Sequence, residues 1–157
     1  MPSSSYLIFF HSIMRYLVLL FAVIVVIQSL MGMLGKKKFL KSNKMPALML
    51  LIFCDLQLVM GLLLYYTSII SRGVLSSGMV MKDTYNRFFA VEHSVSMIVA
   101  IVLVHVGYST IKKNIDDGSK FKRLFWCSFV ALSLMMAMIP WANKQVVGRP
   151  NIPVMPA

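Results

Sequence analysis

A chain of 157 residues, 59% hydrophobic, with a mean hydropathy of +0.78 and a formal net charge of +11, carries more apolar surface than a soluble fold of its length can bury. The balance excludes an ordinary soluble domain and points to helices in a lipid bilayer, since unpaired backbone groups have no partner in hydrocarbon. The lysines lie in short segments beside apolar runs, so they offer no folded basic face for nucleic acid, and anionic lipid is the expected partner.

Four apolar runs, 6–34, 45–70, 88–111 and 124–141, are close to or beyond the ~20 residues that a spanning helix needs. The first is expected as a retained span and not a signal peptide, because MPSSSY has no basic n-region and no A-x-A site follows the run. The first connection holds Lys36, Lys37, Lys38, Lys41 and Lys44, and the third holds Lys112, Lys113, Lys120, Lys122 and Arg123. Both therefore belong in the cytoplasm, and both termini lie outside. Short connections favour antiparallel neighbours, so the expected fold is an all-α integral membrane protein, a single antiparallel four-helix transmembrane bundle. The outer connection, about residues 71–87, is the longest. Pro140 is expected to end the last helix, with Trp126 and Trp141 marking its two ends, and residues 142–157 read as an extended tail unless a partner holds them. Cys54 and Cys127 read as small packing residues, and Met135, Met136 and Met138 as adaptable packing with a thioether ligand as the alternative.

Ionisable residues inside spans are costly and mark the place to look for function. They are His11, Arg15, Asp55, Glu92, His93 and His105. His11 and His93 each fall about five residues inside the outer end of helices that run in the same direction, so their imidazoles are level. Two level histidines suit the axial ligation of a six-coordinate haem b, with Arg87, Lys82 or Arg15 balancing the propionates. The alternative is a pair of interfacial histidines hydrogen-bonded to Glu92 or to backbone carbonyls. On the second helix Gln57, Gly61 and Tyr65 share a face, where Gly61 would admit a planar group and Tyr65 could donate a hydrogen bond. For Glu92 the first expectation is an ion pair with Arg15; orienting a histidine, or carrying protons at an outer quinone site, are the others. His105 lies roughly 18 Å along the helix from His93, too far to share one metal ion, and at the depth of Asp55 and Gln28. An Asp55–His105 contact there is expected to lock two helices together, or else to carry protons.

The blocks HSIMRY (11–16), QLVMGLLLYY (57–66), MKDTYNRFFAVEHSVSMIVAIVLVHVG (81–107) and IPW (139–141) make the chain resemble small four-span bacterial membrane proteins labelled cytochrome b-like. The resemblance covers most of the chain and is most specific in the third block. It implies a haem-related, electron-transfer role in the cytoplasmic membrane, carried by His11 and His93, with Arg15, Gln57 and Glu92 as associated positions. In that family an arginine often precedes IPW, where this chain has Met138.

Three functions are therefore weighed. The leading expectation is a b-type haem subunit, with a quinone or another redox protein completing the electron route. A haem-free accessory subunit of a larger membrane complex or homo-oligomer comes next. A small proton-coupled transporter joining Glu92 to Asp55 and His105 is the third, weakened by the long apolar gap between those layers. No nucleophile triad, phosphate-binding glycine loop or zinc signature is present, so any catalysis would be redox chemistry by a bound cofactor.

Overall fold

The structure is a computed structural model that describes residues 2–78 and 80–155, with side chains from residue 5 onward. Its helices are α1 (Pro2–Leu34), α2 (Lys41–Tyr65), a short α3 (Thr84–Arg87), α4 (His93–Ser109) and α5 (Asp117–Met138). A π turn, Tyr66–Ile70, prolongs α2, a second, Phe88–Glu92, fuses α3 to α4, and a 3-10 turn, Thr110–Lys112, closes α4. Four continuous rods result, each long and apolar enough to cross a membrane: Ser5–Leu34, Lys41–Ile70, Thr84–Lys112 and Asp117–Met138. No strand occurs among the described residues.

The rod ends follow from local chemistry. At the start of α5 the Asp116 carboxylate accepts the Ser119 N–H at 2.7 Å, so the helix begins before the apolar run does. At the start of α2 the Asn43 side chain accepts the Leu40 N–H at 3.0 Å. α5 stops at Met138, short of the expected residue 141. Pro140 has no N–H to donate and drives Ile139 into extended geometry (φ −66°, ψ 132°).

α1 packs on α2 and α5, and α4 packs on the same two helices, so α1 and α4 face each other across a ring of four rods. Neighbours run antiparallel: the N-terminal part of α1 meets the C-terminal half of α2 through His11 and Gln57, and the start of α4 meets the end of α5 through His93 and Met138. The buried positions explain the packing. On α1 they are Arg15, Val18, Ala22, Val25 and Ser29, and on α5 Phe121, Leu124, Ser128, Ala131 and Met135. Both series advance by three, four, three and four residues, the heptad spacing that keeps one seam facing inward along a left-handed bundle. Small residues at the seam bring backbones together: at Gly107 an added Cβ would lie 3.0 Å from the Cys127 Cβ, and at Gly32 it would lie 2.4 Å from the buried Phe121 ring.

The outward faces carry large apolar side chains: Leu20 and Ile27 on α1, Val59 and Leu62 on α2, Val95 and Val102 on α4, and Phe129 and Met136 on α5. Water would leave this surface unstable on every side of the bundle, whereas lipid chains match it.

Candidate functional site

The last turn of a helix leaves carbonyls without intrahelical donors, and at the end of α5 four different donors take them. The Ile139 N–H bonds to Met135 O at 2.9 Å, the Trp141 Nε1–H to Met136 O at 2.9 Å and the Lys144 ammonium to Ala137 O at 2.5 Å. The fourth carbonyl, Met138 O, lies 2.9 Å from His93 Nδ1. A carbonyl can only accept, so this contact places the proton on Nδ1 and leaves Nε2 of His93 as the bare nitrogen. Phe88 and Phe89 flank the imidazole with ring centroids at 5.9 and 6.0 Å.

Across the bundle, the His11 ring lies 6.4 Å from the His93 ring, centroid to centroid, with the planes 68° apart. The Gln57 side-chain amide donates to the His11 backbone carbonyl at 2.9 Å, a bond that fixes α1 against α2 at this level. Gly61 faces the same histidine: a Cβ there would stand 3.6 Å from His11 Cε1, in ordinary contact, so the glycine leaves room for about one methyl group beside the ring. His11 Nδ1 is buried and has no hydrogen-bond partner, as is the Gln57 Oε1. The Tyr65 hydroxyl, expected to donate into this layer, makes no hydrogen bond among the described residues.

Arg15 corrects an expectation. It does not pair with Glu92. Its guanidinium is buried, and it donates to the backbone carbonyls of Asn151 at 2.8 Å and Pro150 at 3.4 Å, to the Tyr16 hydroxyl at 3.0 Å, and lies 5.6 Å from the Trp141 ring. Glu92 instead accepts from Arg87 Nε at 2.8 Å, a pair at the half-exposed edge of the site. The reason is the π turn over Phe88–Glu92. In an α-helix residues five apart point about 140° from each other, whereas the wider turn brings Arg87 and Glu92 to one side. Arg87 is thereby committed to a carboxylate, and Lys82 stands exposed in the connection between the second and third rods, without an ion pair among the described residues.

The tail supplies what the spans do not. Residues 142–147 wind into turns, with Lys144 N–H on Trp141 O and Gly148 N–H on Lys144 O, in place of the extended chain expected. Asn151 then binds the strap at both ends: its side chain accepts the Ala142 N–H at 3.0 Å, and its carbonyl accepts from Arg15 and Tyr16. Lys144 sits 5.3 Å from the Phe88 ring and Arg149 4.8 Å from the Phe89 ring, so two cations back the aromatic pair that holds His93. Arg149 also donates to the Tyr85 hydroxyl at 3.2 Å. Lys144, Arg149, Asn151 and the Met138 carbonyl have no signature as site residues in the sequence. The usable signal was a lysine and an arginine following closely on a helix end, where cations favour the C-terminal dipole.

The second polar layer is separate. His105 Nε2 stands 3.2 Å from Asp55 Oδ1, joining α4 to α2, with His105 Nδ1 on the Ile101 carbonyl at 3.0 Å; both side chains are about half exposed. Gln28 is not part of it. Its Oε1 is buried without a partner, and the residue borders a cleft at the lysine-rich end of α1. Cys54 and Cys127 are free thiols, Cys54 in the core. Among the described residues no group of three His, Cys, Asp or Glu side chains is placed to hold a metal ion.

The site is thus a pair of imidazoles from non-adjacent rods, one oriented by a helix-end carbonyl and one with an unsatisfied nitrogen, under a cationic strap. Compared with family models, with curated proteins and with solved structures, the chain matches none of them.

Proposed function

We propose that this chain is a membrane-embedded, cytochrome b-like redox subunit of a bacterial cytoplasmic membrane, holding haem b between the first and third rods near the outer face. The observation that carries the reading is the His11–His93 pair. Imidazoles bonded to opposite sides of one metal ion at ~2 Å have ring centroids about 6 Å apart, and these stand at 6.4 Å. A backbone carbonyl on Nδ1 of His93 is the outer-shell bond that orients a metal-ligating histidine. The partnerless Nδ1 of His11 is a buried polar atom that a bound group would account for. Two protein ligands without a third suit a metal that brings its own equatorial donors, as a porphyrin does.

The donor set fits the group. His11 and His93 would hold the iron, and Gly61 leaves room for about one methyl group beside His11. Arg15, Lys144 and Arg149 would supply positive charge for the group's carboxylates, in place of Arg87, whose charge Glu92 takes. Bound there, haem b supplies a one-electron couple. The chain's own residues fix the tautomer of His93, hold the α1–α2 register through Gln57, and keep cations beside the buried pair. A quinone or a neighbouring redox subunit completes the route, and the lysine-rich connections face the cytoplasm by the positive-inside rule.

The test is a dithionite-reduced minus oxidised spectrum of the detergent-purified protein expressed with ample haem, alongside His11→Ala, His93→Ala and His105→Ala. A b-type α-band lost in the first two variants and kept in the third is expected. A featureless wild-type spectrum, or a band that survives both substitutions, overturns the reading. One observation favours a second reading, a haem-free accessory subunit: the Asp55–His105 pair lies half exposed between apolar faces of α2 and α4, where a covering protein would shield it. A featureless spectrum together with a stable co-purifying membrane subunit supports that reading.

A further inference from the structure

The end of the bundle opposite the histidines carries a second site. α4 and α5 touch closely at Gly107 and Cys127, and beyond that contact α4 ends in the 3-10 turn Thr110–Lys112. A cleft of ≈ 460 Å³ lies between the two rods at this end. Lys113 borders it from the α4 side, and Lys122 and Arg123 border it from the α5 side. Val106 and Trp126 line its apolar part, and both are about half exposed on the outer surface of their rods.

Among the described residues none of the three cations makes a close ion pair, and no acidic side chain lines the cleft. Of the nearby acids, Asp116 caps Ser119 and feels the charge of Arg123 without pairing with it, and Asp117 lies 3.9 Å from Lys120. Three cations with no carboxylate in the lining, over an apolar channel that continues onto exposed rod faces, match a molecule with an anionic head and hydrocarbon chains. The volume is in the ~300–1,000 Å³ range of clefts that take ligands of many atoms, far beyond a lone phosphate.

We infer that this cleft is a binding site for one anionic phospholipid, its phosphate held by Lys113, Lys122 and Arg123 and its acyl chains laid along Val106 and Trp126. The inference rests on the reading that the rods cross a membrane and is independent of the haem. The arginine offers the fork that matches phosphate oxygens, the lysines add point charge, and the indole lies at the level where head and chain meet.

The experiment uses the full chain in a neutral detergent, titrated with phosphatidylglycerol, with phosphatidylcholine of the same chain length, or with inorganic phosphate. Bound lipid is counted by native mass spectrometry and the melting temperature is followed in parallel. One tightly held phosphatidylglycerol and a raised melting temperature are expected, with neither given by phosphatidylcholine nor by phosphate. Lys113→Gln, Lys122→Gln and Arg123→Gln should each weaken binding about fivefold, and the triple variant roughly 100-fold. A triple Lys36→Gln, Lys41→Gln, Lys44→Gln variant removes equal charge from the same end and should retain the site. Equal losses in both triple variants would reduce the effect to diffuse surface charge, and inorganic phosphate matching the lipid would make it a free-anion site. Either result overturns the inference, as does a wild-type protein that shows no preference for the anionic lipid. If the protein fails to insert into vesicles of either lipid, the membrane reading itself falls, an outcome separate from the loss of lipid preference.

Discussion

Adding a single methyl group at Gly148 should loosen the C-terminal strap, raising its open fraction, and leave the bundle folded. The glycine is not there for its dihedral freedom, since the positive-φ glycines of the described chain are Gly73 and Gly78. It is there for space: a Cβ would lie 2.2 Å from Lys144 O, 2.8 Å from Trp141 O and 3.1 Å from Ala142 O. These are backbone atoms, and two of them are fixed by the turns, Lys144 O by the Gly148 N–H at 2.9 Å and Trp141 O by the Lys144 N–H at 3.0 Å. Overpacking against atoms that cannot yield costs about 1–3 kcal/mol. Keeping the strap docked therefore means carrying that strain, and releasing it gives up its neutral hydrogen bonds, worth about 1 kcal/mol each, and the Arg15–Asn151 bond, worth about 2 kcal/mol. The strap stays docked in most molecules, but its open fraction rises by roughly 30-fold for about 2 kcal/mol of strain. Tryptic cleavage after Lys144 in detergent reads that fraction, because cleavage of a rapidly reclosing segment follows its open population. The expected result for Gly148→Ala is a roughly 30-fold faster cut with unchanged helicity by circular dichroism. Gly61→Ala, where a Cβ meets only His11 Cε1 at 3.6 Å in ordinary contact, is the control and should leave the rate unchanged. A Gly148→Ala protein cut at the wild-type rate would refute the account of the strap.

Gly32→Ala places a Cβ 2.4 Å from the Phe121 ring, which is 1% exposed and also packed against Phe39, so the ring must shift out of that packing. A loss of about 1–3 kcal/mol is expected, read as a lowered melting temperature in detergent; an unchanged melting temperature would show that α1 and α5 can separate freely there. Asp116 gives a pH dependence. The Ser119 N–H and hydroxyl hold its carboxyl below the ordinary carboxylate value, so its capping contribution is complete above that value and is lost as pH falls through the lower folded one. Protection of amides 117–120, taken relative to the intrinsic exchange rate at each pH, should fall in Asp116→Ala at neutral pH and in the wild type only under acid, where the two proteins converge. A difference that persists at low pH would refute the cap.

Much of the architecture is legible because it rests on periodicity. The spacing of Val18, Ala22 and Ser29 already marks the inward face of α1, and the depth of His11 and His93 on parallel rods already makes them neighbours. The Asp55–His105 contact is legible for the same reason, as two polar residues at one depth on adjacent rods. Arg15 and Glu92 fail as a predicted pair for two physical reasons. The partners of Arg15 are carbonyl oxygens, which every residue carries and no side-chain pattern announces. Glu92 sits in a π turn, which breaks the 100° step on which face assignment depends and gives it to Arg87. The strap was unreadable as structure because its order comes from turns and from α1, not from a periodic face.

The bond between Arg15 and Asn151 joins residues 136 positions apart. During synthesis the first rod is made long before the carbonyl to which its guanidinium donates, so Arg15 lacks that partner until the strap emerges. Completion of the contacts around Arg15 is thereby a late event. Any change that shortens or displaces the segment after Trp141 acts on the opposite end of the sequence, leaving a buried charge unpaired in the first rod that is made.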